Sequence, residues 1–191
     1  MNLFNICNKN NLEIVSFLRG SRKYFNEIFE FTGVKSKNTL VKCLNELVSF
    51  RVANCEKSKS NTFYSLNFES GLTISILMFI DKLRVEKLSS VINFVFRDLI
   101  LGVKPNLLIL FGSYAKGNYS KGSDLDLLIV GGVRDKKKLI EEVSLKYGIE
   151  VNCVYMDFKE FNVLNESLNH IIKTGYPLVG GEFFYNEFKK I

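Results

Sequence analysis

The chain of 191 residues is 47% hydrophobic and 24% charged, which excludes wholesale disorder and leaves room for one large domain or two small ones. The longest uncharged stretch of its hydrophobic middle, Ser70 to Ile80, has 11 residues, against the about 20 that a membrane-spanning helix needs. The net charge of +6 is concentrated early: residues 1–70 carry 10 Lys+Arg against 6 Asp+Glu, and residues 105–191 carry 11 against 11, hinting at a polyanionic partner for the first half.

Met1–Asn5 shows no basic region ahead of an apolar core, so a cytoplasmic protein with no membrane partner is expected. Cys7, Cys43, Cys55 and Cys153 form no C-x-x-C pair and His170 is the single histidine, so zinc-ligand spacing is absent and reduced, structural thiols are expected.

Along the chain, Leu12, Val15 and Leu18 mark a helix over Asn11–Gly20, and a second covers Tyr24–Phe31 and stops at Gly33. Ser36 is placed to cap a third helix through Phe50, with Leu40, Cys43, Leu44, Leu47 and Val48 as its apolar face. Two short strands, Arg51–Cys55 and Thr62–Leu66, flank a basic hairpin tip at Glu56–Asn61. Three helices followed by a basic hairpin resemble a winged helix-turn-helix domain. That resemblance implies double-stranded DNA as a partner, with Lys37, Asn38, Thr39 and Lys42 on the recognition helix and Lys57 and Lys59 on the wing.

Residues 71–104 read as a helical connector. Leu88, Val91, Ile92, Val95, Phe96, Leu99 and Ile100 follow helical spacing, and Gly102 and Pro105 end the run. This stripe is expected to be core between two domains or a homodimer seam.

From Pro105 the pattern changes. Leu107–Phe111 is a continuous apolar run, as a buried central strand requires. It opens into Gly112-Ser113, and after ten intervening residues Asp124-Leu125-Asp126 heads a second apolar strand. Side chains two apart on a strand share a face, and two carboxylates on one face repel unless a cation lies between them. Hard oxygens suit Mg2+ or Mn2+, whose remaining ligands are water and substrate phosphates. The glycine-serine turn exposes backbone N–H groups to an anion. A nucleoside triphosphate is the natural partner of both halves.

Phe111-Gly112-Ser113 with Asp124-Leu125-Asp126 in a hydrophobic strand resembles the nucleotidyltransferase superfamily, the fold of DNA polymerase beta, and looks most like its minimal members. The resemblance covers residues 105–181 and implies transfer of a nucleoside monophosphate to a hydroxyl. Asp124 and Asp126 would hold metal, and Gly112, Ser113, Lys116 and Ser123 would hold the nucleotide. A third carboxylate, completing the catalytic and metal-holding set, is implied from the next strand, Ile149–Val154, where Glu150 is the candidate; Asp157 is the fallback, more suited to capping the following helix. Tyr114 stands where such proteins commonly carry Arg and is expected to pack on the sheet edge.

Lys136–Lys138 opens a helix through Tyr147, His170 lies in a helix ending near Gly175, and Gly175–Gly181 resembles a closing strand. The expected fold is α/β (α+β): a winged helix over 1–70, a connector over 71–104 and a nucleotidyltransferase domain with a mixed sheet over 105–191. The alternative function is a DNA-binding regulator, or an antitoxin-like protein that senses nucleotide or modifies a partner toxin.

Overall fold

A computed structural model describes residues 6–132, 137–163 and 166–188; Met1–Asn5 and Lys136, read above from sequence, lie outside them. The chain divides into two compact units, Met1–Ile80 and Asp81–Ile191. The residues expected to form a connector are therefore shared between the units, the division falling inside one helix.

In the first unit, α1 (Lys9–Leu18) is capped by Asn8, whose side-chain oxygen accepts from the Asn11 N–H at 2.9 Å. A two-residue strand β1 (Lys23–Tyr24) leads into α2 (Phe25–Thr32). Gly33 ends that helix at φ 59°, a left-handed turn that suits a residue without Cβ. Ser36 caps α3 (Lys37–Ser49), its hydroxyl oxygen accepting from the Thr39 N–H at 3.1 Å. β2 (Ala53–Lys57) and β3 (Thr62–Leu66) form an antiparallel hairpin, and β1 adds to the outside of β3. Ile14, Leu18, Ile28, Leu40, Leu44 and Leu47 are fully buried where the three helices meet.

The connector holds α4 (Gly71–Glu86) and α5 (Ser90–Val103), broken at Lys87–Ser89, where the Ser89 hydroxyl caps the second helix. Gly102 does not end α5. It lies inside the helix, and a methyl group there would strike Leu139; the helix stops at Lys104, in the left-handed region at φ 51° just before Pro105.

The second unit is built on β4 (Leu107–Phe111), α6 (Gly112–Lys116), β5 (Leu125–Val130), α7 (Lys137–Tyr147), β6 (Val151–Met156), α8 (Phe158–Asn162), α9 (Glu166–Thr174), β7 (Tyr176–Val179) and α10 (Gly181–Phe188). The strands lie in the order β6-β5-β4-β7, with β5 and β6 parallel and the other pairs antiparallel, so the sheet is mixed. One face of it (Leu108, Leu110, Leu125, Leu127 and Ile129) packs with Ile92, Val95, Phe96 and Leu99 of α5 and with Ile140 and Val143 of α7. Of the apolar stripe on α5, Ile92, Val95, Phe96 and Leu99 are buried in the core of this unit, Leu88 and Ile100 pack partly against it, and Val91 is exposed.

At the start of this unit Asp81, 2% exposed, meets Arg84 at 3.3 Å and accepts a hydrogen bond from the Tyr185 hydroxyl, while the Arg84 guanidinium lies over the Tyr176 ring. Burying a carboxylate is tolerable here because it is both paired and hydrogen-bonded.

Candidate active site

The antiparallel register of β4 and β5 pairs Phe111 with Asp126. The chain turns immediately after Phe111, so Gly112 arrives beside the Asp126 carboxylate. Gly112 has φ 69°, and a Cβ placed there would collide with the carboxylate oxygen of Asp126. Two independent constraints, a left-handed backbone and a side-chain-sized gap already filled by an acid, require glycine at this position. The sequence pattern of a glycine-serine turn and a later Asp-x-Asp is therefore a single place in space.

Asp124 and Asp126 are both half-buried. Asp126 lies within β5 and Asp124 immediately precedes it, two residues apart on one face. The parallel register of β6 sets Asn152 against Asp126, and the Asn152 side-chain amide donates to the Asp124 Oδ2 at 3.3 Å. Asn152 is the residue that sequence reasoning missed: an amide carries no charge to draw notice, and only the strand register reveals its neighbours.

Glu150 lies just outside β6, which begins at Val151 rather than at Ile149. Its backbone carbonyl accepts from the Leu125 N–H at 2.8 Å, continuing the register so that Glu150 stands opposite Asp124, with its side chain exposed. Asp157 is the N-cap of α8: its side chain accepts from the Glu160 N–H at 2.8 Å while Glu160 accepts from the Asp157 N–H at 2.7 Å.

Ser113 follows Gly112 on the same turn and is half-buried, and Lys116 is exposed at the end of α6. Ser123 shapes the intervening loop, its hydroxyl oxygen accepting from the Ser120 N–H at 2.8 Å. Tyr114 is buried in the core of the unit, with its ring stacked on Tyr119 at 4.3 Å, and burial raises the pKa of its hydroxyl. His170 is exposed on α9.

Among the described residues no group of three or more His, Cys, Asp or Glu side chains gathers as a metal site. The pair of carboxylates with Asn152 still fits a hard divalent cation, because such ions take one or two carboxylates and complete their shell with water and phosphate oxygens. Gly112 presses against one of the two acids, so a phosphate on that turn would sit next to a cation on that pair.

On the first unit, Lys37, Asn38 and Lys42 are exposed on α3, Thr39 is half-buried with its hydroxyl 2.9 Å from that of Ser36, and Lys57 and Lys59 are exposed at the hairpin. The Lys37 ammonium lies 5.9 Å from the Phe29 ring centre. No helix among the described residues is long and apolar enough to cross a membrane.

Residues 95–174 match the family described as "Nucleotidyltransferase domain". Three curated proteins of Methanocaldococcus jannaschii are similar to parts of this chain. "Putative protein adenylyltransferase MJ0604" is 45% identical over 58 residues, which are 29% of this chain and 57% of that protein. "Putative protein adenylyltransferase MJ0141" is 42% identical over 62 residues, 29% of this chain and 63% of that protein. "Putative protein adenylyltransferase MJ1547" is 32% identical over 85 residues, 44% of this chain and 66% of that protein. The chain thus spans less than two thirds of the length of the curated relatives it matches. A solved structure described as "Crystal structure of the toxin-antitoxin with AMP-PNP" is similar at 19% identity and a TM-score of 0.39, over 51% of this chain and 83% of that one.

Proposed function

We infer that the second unit belongs to the nucleotidyltransferase superfamily, a reading supported by the match to the nucleotidyltransferase domain and by relatives named as protein adenylyltransferases. We propose that this unit transfers a nucleoside monophosphate, AMP by analogy with those names, from the triphosphate to a hydroxyl of a protein acceptor. The observation that carries the reading is the approach of Gly112 to Asp126, which sets the Gly112-Ser113 turn against the acid pair.

In this reading the backbone N–H groups at Gly112 and Ser113 hold phosphate oxygens, and Lys116 adds a positive charge. Asp124 and Asp126 would hold Mg2+ or Mn2+, which when bound neutralises phosphate charge. Asn152 orients Asp124 by donating to it. Glu150, exposed and opposite Asp124, takes the proton of the acceptor hydroxyl. The hydroxyl oxygen forms the new bond to the α-phosphorus, the bond from that phosphorus to the β-phosphate bridging oxygen breaks, and pyrophosphate leaves with the electron pair. Incubation with α-labelled ATP, Mg2+ and candidate acceptor proteins tests it. Label transferred by the native chain and lost in Asp124→Ala supports the proposal; transfer that survives Asp124→Ala refutes the assigned site.

A second reading concerns the first unit. The order α1-β1-α2-α3-β2-β3, with Lys37, Asn38 and Lys42 exposed on a Ser36-capped α3 and Lys57 and Lys59 on the hairpin, supports a winged helix that binds duplex DNA and makes the chain a regulator. Duplex binding that weakens with salt and in Lys37→Ala or Lys42→Ala is the expected result. No duplex binding at low salt removes it.

A further inference from the structure

The exposed edge of β6 is a feature that the nucleotide reading does not use. β6 ends the order β6-β5-β4-β7, and among the described residues no strand pairs with its outer side. Its parallel pairing with β5 uses the carbonyls of Glu150 and Met156, which accept from Leu125 and Gly131 at 2.8 and 3.1 Å. In a parallel ladder alternate residues serve one neighbour. The backbone groups of Val151 and Cys153 therefore point away from β5.

A cleft of about 890 Å3 runs along this edge. Residues from both faces of the strand line it, Val151 and Cys153 from one and Asn152 and Met156 from the other. A cleft on one face of a sheet would be lined by alternate residues only, so this one follows the strand's edge. It is bordered by Glu141 on α7 and closed by the acidic start of α8. Its charged lining among the described residues is Glu141, Glu150, Asp157 and Glu160 against Lys137, an acidic surface on a chain of net charge +6. One end lies at Glu150 and Asn152, and the Asn152 amide reaches Asp124.

We infer that this cleft is the acceptor-docking site: an extended, Lys- or Arg-rich segment of the acceptor protein adds to the edge of β6 as a further strand, with its near end at the acid pair. Backbone pairing selects a polypeptide, because a nucleic acid has no strand of amides to offer and its phosphates would be repelled by four acids. A second copy of this chain is a poorer occupant, since the strand it would offer, Val-Asn-Cys-Val-Tyr-Met at 151–156, has no basic residue to meet the acids. The inference rests on the transfer reaction for its purpose but not for its geometry.

The test is made without nucleotide, on the full chain, using the peptide acetyl-Lys-Val-Lys-Tyr-Lys-Val-Lys-amide as probe. The same peptide N-methylated at every internal amide and its Glu-for-Lys counterpart are the controls. Binding is read by fluorescence anisotropy, and hydrogen exchange of the Val151 and Cys153 amides by NMR. The basic peptide is expected to bind at least tenfold tighter than either control and to slow exchange at both amides, and Glu141→Lys is expected to weaken it threefold or more. Equal binding of the three peptides, or binding that leaves the two amides unchanged, overturns the inference. So does concentration-dependent protection of those amides in the protein alone, which would mean that a second copy fills the edge. In a second arm, with α-labelled ATP and Mg2+ added, peptide binding at β6 with no AMP transfer removes the reaction and keeps the cleft, whereas transfer to a peptide that does not protect β6 does the reverse.

Discussion

Gly112→Ala separates backbone strain from damage to the acid pair, because the chain contains its own control. Gly112 and Gly117 have nearly the same backbone, φ 69° and 74°. Around a Cβ built at Gly117 nothing lies within 4 Å, whereas one built at Gly112 runs into the Asp126 carboxylate. Alanine in the left-handed region costs roughly 1–2 kcal/mol. At about 2–4 °C per kcal/mol for a chain of this size, each variant should lower the melting temperature by about 2–8 °C. Only Gly112→Ala must also push Asp126 out of its place. In calorimetric titrations with Mn2+ and a non-hydrolysable ATP analogue, Gly117→Ala should bind within about twofold of the native chain, and Gly112→Ala at least tenfold more weakly, a difference of about 1.4 kcal/mol. Equal binding by the two variants would refute the argument that the turn and the acid pair form one site.

Asn152→Asp places a third carboxylate in register with Asp126 and should tighten Mn2+ binding, measured by electron paramagnetic resonance; unchanged or weaker binding would take Asn152 out of the donor set. Asp98 accepts from Lys146 and Tyr147 at 2.7 Å each, and these hydrogen bonds, Lys146 foremost, hold its carboxyl down to about 2. A depressed carboxylate stabilises the fold above the ordinary range and loses that contribution as pH falls toward about 2. The melting-temperature gap between native chain and Asp98→Asn should therefore be full at pH 6 and close by pH 2; a gap independent of pH would contradict it. Burial pushes the Cys153 thiol up to about 12 and raises that of Cys43, so brief iodoacetamide treatment at pH 7.5 should modify the exposed Cys7 and Cys55 before either, as read by peptide mass spectrometry.

Much of the fold was legible where one residue states a local rule. Ser36 caps α3, Gly33 ends α2 and Asp157 caps α8, each because its side chain, or the lack of one, satisfies backbone groups within a few positions. The unbroken apolar run at Leu107–Phe111 marked a strand buried on both faces for the same reason. What escaped depends on distant partners. β1 is two residues long and exists through its pairing with β3, so no periodicity could announce it. Gly102 reads as a helix breaker but is a contact with Leu139 on another helix. In the candidate site, the acid pair and the turn were visible as motifs, while the nearness of Gly112 to Asp126 and of Asn152 to Asp124 follows from strand register alone. The start of β6 was misplaced by two residues because Ile149 and Val151 are equally suited to a strand, and the register with β5 decides between them.

The most direct measurement is a crystal structure of the chain with Mn2+ and a non-hydrolysable nucleoside triphosphate, with the metal located by its anomalous signal. The account predicts a manganese peak in bonding contact with both Asp124 and Asp126 and triphosphate oxygens on the backbone N–H groups at Gly112 and Ser113. A nucleotide bound elsewhere, or manganese that touches neither aspartate, would contradict it.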